Sequence, residues 1–260
     1  MALRRIIKEL YTDGKCYLKV SRDSRIRGHR PDGKNFSGNI SVGEHSALSI
    51  GKNVFFNSEL YINNHSEVVI EDDCVFKNHI IHVANHSKVH FGKGAMLLSG
   101  PIGSVPVQID NGTLILGGYN RFMSEILVRF GGIMKVGKYT GIGYNSEIRC
   151  EEAITIGDYG MFSYDICIYD TDTHSTDWRE RRKRITEGYP VGAAEKEKPR
   201  TKPVIIGNDV WLGKGVTITK GTKIGNRCVV GTRTVVGGGE YADDTTLVSD
   251  KPRIIVKKNA

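Results

Sequence analysis

Apolar residues in this chain recur neither every second position, as on a half-buried strand, nor every third and fourth, as on a helix face. They recur every sixth. The pattern is plainest in VGKYTG IGYNSE IRCEEA, residues 136–153, and in IGNDVW LGKGVT ITKGTK IGNRCV VGTRTV, residues 206–235. A longer period overlies it. An aliphatic or aromatic residue followed by Gly or Glu stands at Ile50, Ile70, Phe91, Leu116, Val136, Ile156, Ile206 and Ile224, at intervals of 20, 21, 25, 20, 20, 50 and 18 residues. Self-similarity at such spacings is the signature of a solenoid.

A coil with three short flat faces accounts for both periods. If each face takes about six residues, the leading aliphatics stack inward and the residue after each sits at a corner, where glycine tolerates unusual φ. Each coil then needs the next to bury its face. At the parallel-strand spacing of about 4.8 Å, nine or ten coils make a prism on the order of 45 Å long. The reading is an all-β parallel solenoid over 39–240, preceded by a poorly periodic cap over 1–38 and followed by a tail over 241–260. The interval of 50 residues decomposes into one coil plus an excursion at about 175–202.

Composition fits this picture: 31 glycines, 7 prolines and 39% hydrophobic residues describe a chain that turns often and has enough apolar content for a core. Five cysteines in no CxxC arrangement read as small buried hydrophobes in a reducing compartment. The N-terminal segment lacks a secretory apolar run, and no stretch is apolar enough to span a membrane, so the expectation is a cytoplasmic protein. Net charge is +8, and nine Lys/Arg against five Asp/Glu fall between Ser175 and Pro203. That excess suits a phosphate-bearing or acidic partner. No motif with interleaved aromatics supports nucleic acid.

The hexads, a histidine followed by an inserted loop, the segment KPVIIGNDVWLGKGVTITKGTKIGNRCVVGTRTVV from Lys202 to Val236, and the ending LVSDKPRIIVKK together resemble the hexapeptide-repeat acyltransferases. The likeness is closest to galactoside, maltose and polysaccharide O-acetyltransferases, and it is strong over residues 136–257. The resemblance implies a left-handed parallel β-helix that assembles as a homotrimer, with acetyl-CoA as co-substrate in a groove between subunits and no metal. It implies transfer of the acetyl group to a hydroxyl of a sugar, nucleotide-sugar or polysaccharide.

Such transfer needs a base for the alcohol proton and donors for the developing oxyanion. His174 matches the family's catalytic histidine and is expected to be the base; an imidazole is neutral enough near pH 7 for that task. Asp170 and Asp172 are candidates either to orient the ring or meet acceptor hydroxyls, or simply to accept backbone N–H bonds. Trp211 matches the tryptophan that packs along the pantetheine arm. A backbone N–H at Gly213 or Lys214 is expected to face the thioester carbonyl. Gly231, Thr232 and Arg233 fall where the family's backbone meets the rest of the cofactor arm. Arg253, assisted by Lys257, matches a basic residue that meets CoA phosphate. The chain departs from the family at VVGGGEYADDTTLV, where Gly237 and Gly238 replace cofactor-facing side chains, and at Ser249-Asp250-Lys251-Pro252.

The arginine-rich excursion is longer than its counterpart in small sugar acetyltransferases. Trp178 with Arg179 to Arg184, Arg181 and Arg182 above all, is expected to frame a large or anionic acceptor. A mobile charged loop is the plainer reading. Three rivals stand beside the main one: N-acetylation of an amino sugar, a non-catalytic scaffold or glycan-binding module, and a metal site at His79, His82, His86 and His90. The spacings of 3, 4 and 4 in that last group do not repeat the coil, so the four rings should point in different directions.

Overall fold

The computed structural model describes residues 8–12, 16–31, 34–99, 103–186 and 198–250. Their strands stack in parallel into a β-solenoid of about 11 turns. An antiparallel hairpin partner, Lys8–Thr12 against Cys16–Val20, closes the N-terminal end. The ladder begins earlier than the expected boundary at residue 39: Cys16–Val20 already pairs in parallel with the strand Phe36–Val42, and Arg25–Gly28 with Ala47–Ile50. At the other end Gly239–Tyr241 and Thr246–Leu247 still join the sheets. The tail beyond residue 250 lies outside the described residues.

Each turn has three faces. In the later turns the first face is carried by Met161–Phe162, Trp211–Leu212 and Val229–Val230, the second by Cys167–Tyr169, Thr217–Ile218 and Val235–Val236, and the third by Ala153–Ile156, Val204–Ile206 and Thr222–Ile224. In earlier turns long strands such as Gly141–Cys150 run across the first two faces and bend at a left-handed residue, here Asn145. All eight positions of the long repeat stack on one another along the third face, from Ile50 on Ile70 through to Ile206 on Ile224. Their side chains are buried in a column, and Phe36, Phe56 and Phe76 form a second one, with ring centroids 5.9 and 5.5 Å apart; Phe76 meets Phe91 of the first column edge-on at 5.0 Å.

The corner glycines have a different cause from the one expected. Those at 51, 92, 117, 137, 157, 207 and 225 are absent from the left-handed region; the left-handed residues come two positions later, at Asn53, Gly94, Tyr119, Tyr139, Tyr159, Asp209 and Arg227. The glycines are required by the next turn. Lys138 N–H donates to Asp158 Oδ1 at 2.6 Å, Asp158 N–H to Asn208 Oδ1 at 2.8 Å, and Asn226 N–H to Asp243 Oδ1 at 2.8 Å. That capping side chain lies over the preceding glycine. A Cβ on Gly137, Gly157 or Gly225 would meet its oxygen at 2.1, 2.4 or 2.4 Å. Tyr119, Tyr139 and Tyr159 stack their rings at 5.0 and 5.3 Å along the same corner.

The excursion leaves the ladder intact, because Ile156 pairs directly with Ile206. Its neck is pinched by an antiparallel bridge between Thr171 and Thr201, with Thr201 Oγ1 donating to Glu152 Oε2 at 2.5 Å. It opens with Trp178–Thr186, the one α-helix among the described residues, where the sequence reading has only a loop. Asp177 caps this helix by accepting Arg179 N–H at 2.8 Å, and the straight-chain residues that follow are good helix formers. No residue of the helix is buried. No helix among the described residues is long and apolar enough to cross a membrane.

Candidate active site

His174 stands at the corner between the second and third faces, just past the pinched neck. Thr173, immediately before it, holds φ at 61°, a left-handed conformation that is costly for a β-branched residue. The ring's Nδ1 accepts from Arg184 Nη1 at 3.2 Å. A guanidinium offers only donors, so Nδ1 carries the lone pair and the ring is neutral with its proton on Nε2. Desolvation holds the imidazole below its ordinary value of 6.5, and Arg184, Arg129 and Arg149 push it the same way while Glu151 opposes them. The ring is therefore uncharged at neutral pH.

The two aspartates face elsewhere. Asp170 is fully buried and its two oxygens accept the N–H groups of Glu151 and Glu152, both at 2.8 Å, which is the backbone-accepting alternative of the sequence reading. Burial raises its carboxyl above the usual value. Asp172 pairs with Lys220 through Oδ1 and lies 3.9 Å from Arg200 through Oδ2, tying the excursion's neck to the next turn. Beneath His174, Arg149 and the Tyr169 hydroxyl both bind Glu147, with the guanidinium 5.4 Å from the Tyr169 ring centroid.

Trp178 lies on the exposed helix, with the guanidinium groups of Arg179 and Arg182 at 4.9 and 4.6 Å from its ring centroid. Arg181 turns back to donate to the Ser175 carbonyl at 2.9 Å.

The residues expected to line the cofactor gather at another corner, between the first and second faces. Trp211 is 52% exposed and in register with Met161 below and Val229 above, so an apolar strip opens there to solvent. Gly213 sits under Thr232, and a Cβ would approach Thr232 N to 2.8 Å. Lys214, Thr232 and Arg233 are exposed beside it, with Lys214 Nζ 3.4 Å from Asp165. The Gly213 N–H donates to the Val230 carbonyl at 2.8 Å and is not available to an oxyanion, which leaves Lys214 of the expected pair. Gly231 and Arg233 likewise donate to Leu247 and Lys214. Arg253 and Lys257 lie outside the described residues. The second face separates this corner from His174, on the order of 15–20 Å at strand rise.

Residues 203–238 match the bacterial transferase hexapeptide family, six repeats. Comparison with curated proteins gave no match. Among solved structures, the chain is similar to a hexapeptide-repeat-containing acetyltransferase from Vibrio cholerae, with 27% identity over 55% of this chain and 72% of that one and a TM-score of 0.40. The same protein complexed with acetyl coenzyme A aligns at 27% identity over 50% of this chain and 62% of that chain, TM-score 0.35. The polySia-specific acetyltransferase NeuO aligns at 18% identity over 91% and 87% of the two chains, TM-score 0.44.

The four histidines of the earlier turns have four different surroundings. His79 is buried with Nδ1 donating to the Lys77 carbonyl at 2.9 Å; His82 stacks on Tyr61, His86 on His65, and His90 bonds Glu71 at 2.8 Å. What the sequence reading missed is Glu151, Thr171 and Arg129 below His174: they fall at spacings of 22 and 20 residues, visible only once the turns are in register.

Proposed function

We propose that the protein is an acetyl-CoA-dependent O-acetyltransferase acting on a hydroxyl of a sugar, nucleotide-sugar or acidic polysaccharide. The observation that carries this reading is an adjacency. His174 stands at the corner of the turn directly beneath the 203–238 repeats, and Lys220 of that segment is ion-paired with Asp172, two residues from the histidine.

Acetyl-CoA, when bound, supplies an acyl group already activated as a thioester. The chain's residues fit it: Trp211 offers an open aromatic face for the pantetheine arm, Gly213 and Gly231 keep the corner shallow, and Lys214 and Arg233 give positive charge toward the phosphates. The Lys214 N–H is the donor for the thioester oxygen. At the acceptor, His174 Nδ1 takes the alcohol proton as the oxygen attacks the thioester carbonyl; the C–S bond then breaks, and the imidazolium returns the proton to the departing CoA sulfur, so the neutral imidazole is regenerated and needs no prior deprotonation. The acceptor hydroxyl occupies the position Arg184 holds at Nδ1, and Arg184 turns to an anionic group of the acceptor. Trp178, Arg181 and Arg182 line the approach. Asp170 and Asp172 serve the site by fixing the neck.

One chain does not bring the cofactor corner to His174. The site is completed by the cofactor corner of a second copy in a homotrimer, with the apolar strip around Met161 and Trp211 covered by the arrangement. Isothermal titration with acetyl-CoA, followed by an acceptor screen on wild type and His174→Ala, tests the reading. Saturable binding with acetylated product only from wild type supports it, and absence of acetyl-CoA binding defeats it.

A further inference from the structure

The corner that carries His174 changes its chemistry along the solenoid. In the early turns it is closed by a ladder of neutral serine hydroxyls: Ser66 N–H donates to Ser46 Oγ at 3.2 Å, Ser87 N–H to Ser66 Oγ at 3.1 Å, and Gly112 N–H to Ser87 Oγ at 3.1 Å. At the turn of His174 the ladder is replaced by a buried ion pair. Arg129 Nε and Nη2 both reach Glu151 Oε1, at 2.6 and 2.5 Å, and the Glu151 side chain is fully buried. The other carboxylate oxygen, Oε2, accepts the hydroxyl of Thr171 at 2.6 Å. With its proton so committed, the Thr171 oxygen presents a lone pair, which accepts Thr173 N–H at 2.9 Å.

A buried Arg–carboxylate pair adds little net stability, because desolvating both ions offsets their attraction. Its return is geometric: the charged oxygen fixes the rotation of one hydroxyl. That hydroxyl holds the N–H of Thr173, the residue in a left-handed conformation that its branched side chain disfavours. The turn is reciprocal, since Asp170 in turn holds the N–H groups of Glu151 and Glu152. Such a conformation persists only where its surroundings over-determine it.

We propose that Glu151, anchored by Arg129 and acting through the Thr171 hydroxyl, is a positioning residue that fixes the turn presenting His174. The proposal rests on the reading of His174 as the base, but the geometry it predicts can be measured without turnover. In the full chain, the ¹⁵N shifts and titration of the His174 ring report its tautomer and its surroundings. Thr171→Ser keeps the hydroxyl and retains the wild-type ring signals. Thr171→Val removes it, giving tautomer-averaged shifts and a kcat lowered about 10- to 100-fold, as a displacement near 1 Å would, with KM for acetyl-CoA within about twofold by the same reasoning, since the cofactor corner is untouched.

Wild-type ring shifts and kcat in Thr171→Val overturn the proposal. If that variant does not fold, Glu151→Gln is read in the same way: it leaves the Thr171 hydroxyl without its charged acceptor, and an unchanged ring overturns the proposal equally. If His174→Ala acetylates as fast as wild type, the base assignment falls, and the ring shifts still decide whether Glu151 positions the turn.

Discussion

Arg184 reaches from the exposed helix of the excursion to place Nη1 3.2 Å from Nδ1 of His174. The contact has two consequences of opposite kind: it covers the lone pair a base would use, and its charge helps hold the imidazole below 6.5. Arg184→Ala removes one of the forces lowering that value, so the ring protonates at higher pH. With the neutral ring as the proposed base, the acid limb of the kcat/KM profile moves up in pH. If Arg184 also meets an anionic acceptor, acceptor KM rises while KM for acetyl-CoA holds. A limb that stays in place or moves down contradicts this account of the contact.

Trp211 is half exposed and contributes little to the core of its own chain. Trp211→Ala should leave the thermal midpoint within a few degrees while weakening acetyl-CoA about 10- to 100-fold, the loss of roughly 1.5–3 kcal/mol of aromatic burial. Titration calorimetry and a melting curve on one preparation separate the two effects. A stability loss with unchanged binding would make Trp211 a packing residue only.

The corner glycines give a test of the fold. Gly157→Ala puts a Cβ 2.4 Å from the Asn208 oxygen that caps Asp158 N–H, and 2.7 Å from the Gly207 carbonyl carbon. Backbone must move, at a cost of about 1–3 kcal/mol, which for a chain of this size lowers the melting midpoint by roughly 2–12 °C. Gly103→Ala, where no atom lies within 4 Å, has no such clash; its φ of 62° leaves only the conformational cost. Equal losses at the two positions would show that the capping side chain is not what selects glycine at Gly157.

His79 gives a stability prediction with a definite sign. Burial pushes its imidazole down to about 4 from an ordinary 6.5. Above pH 6.5 both folded and unfolded forms are neutral there and nothing changes. Between pH 6.5 and 4 the unfolded chain takes up a proton that the folded chain refuses, so stability falls as pH falls. His79→Leu should flatten that part of the curve relative to wild type in urea titrations at pH 7 and pH 4.5. Parallel curves for the two proteins would remove His79 from the account.

The solenoid was legible because its period is written in single residues. Ile50, Ile70, Phe91 and their successors mark every turn, and the structure stacks each on the next. The reason for the following glycine was not legible: Asp158, Asn208 and Asp243 look like ordinary corner polars until the turns are in register. The start at Cys16 escaped notice because Leu18, Ile26 and Phe36 are separated by charged residues and lack the Gly punctuation. His174 could be proposed as a candidate from its neighbours in sequence. Its supporting set could not, since Arg129, Glu151 and Thr171 are brought together only by stacking. The Trp178–Thr186 helix was hidden by composition: it has no apolar face, and only its cap and its straight-chain residues speak for it.

The central claim is that His174 removes the acceptor's proton. Its most direct test is single-turnover acetyl transfer from acetyl-CoA by wild type and His174→Ala at pH 7.5, with cofactor binding measured in parallel. The account predicts a transfer step about 10²- to 10⁴-fold slower in the variant, with acetyl-CoA bound as tightly as before. Transfer at the wild-type rate by a variant that still binds acetyl-CoA would contradict it.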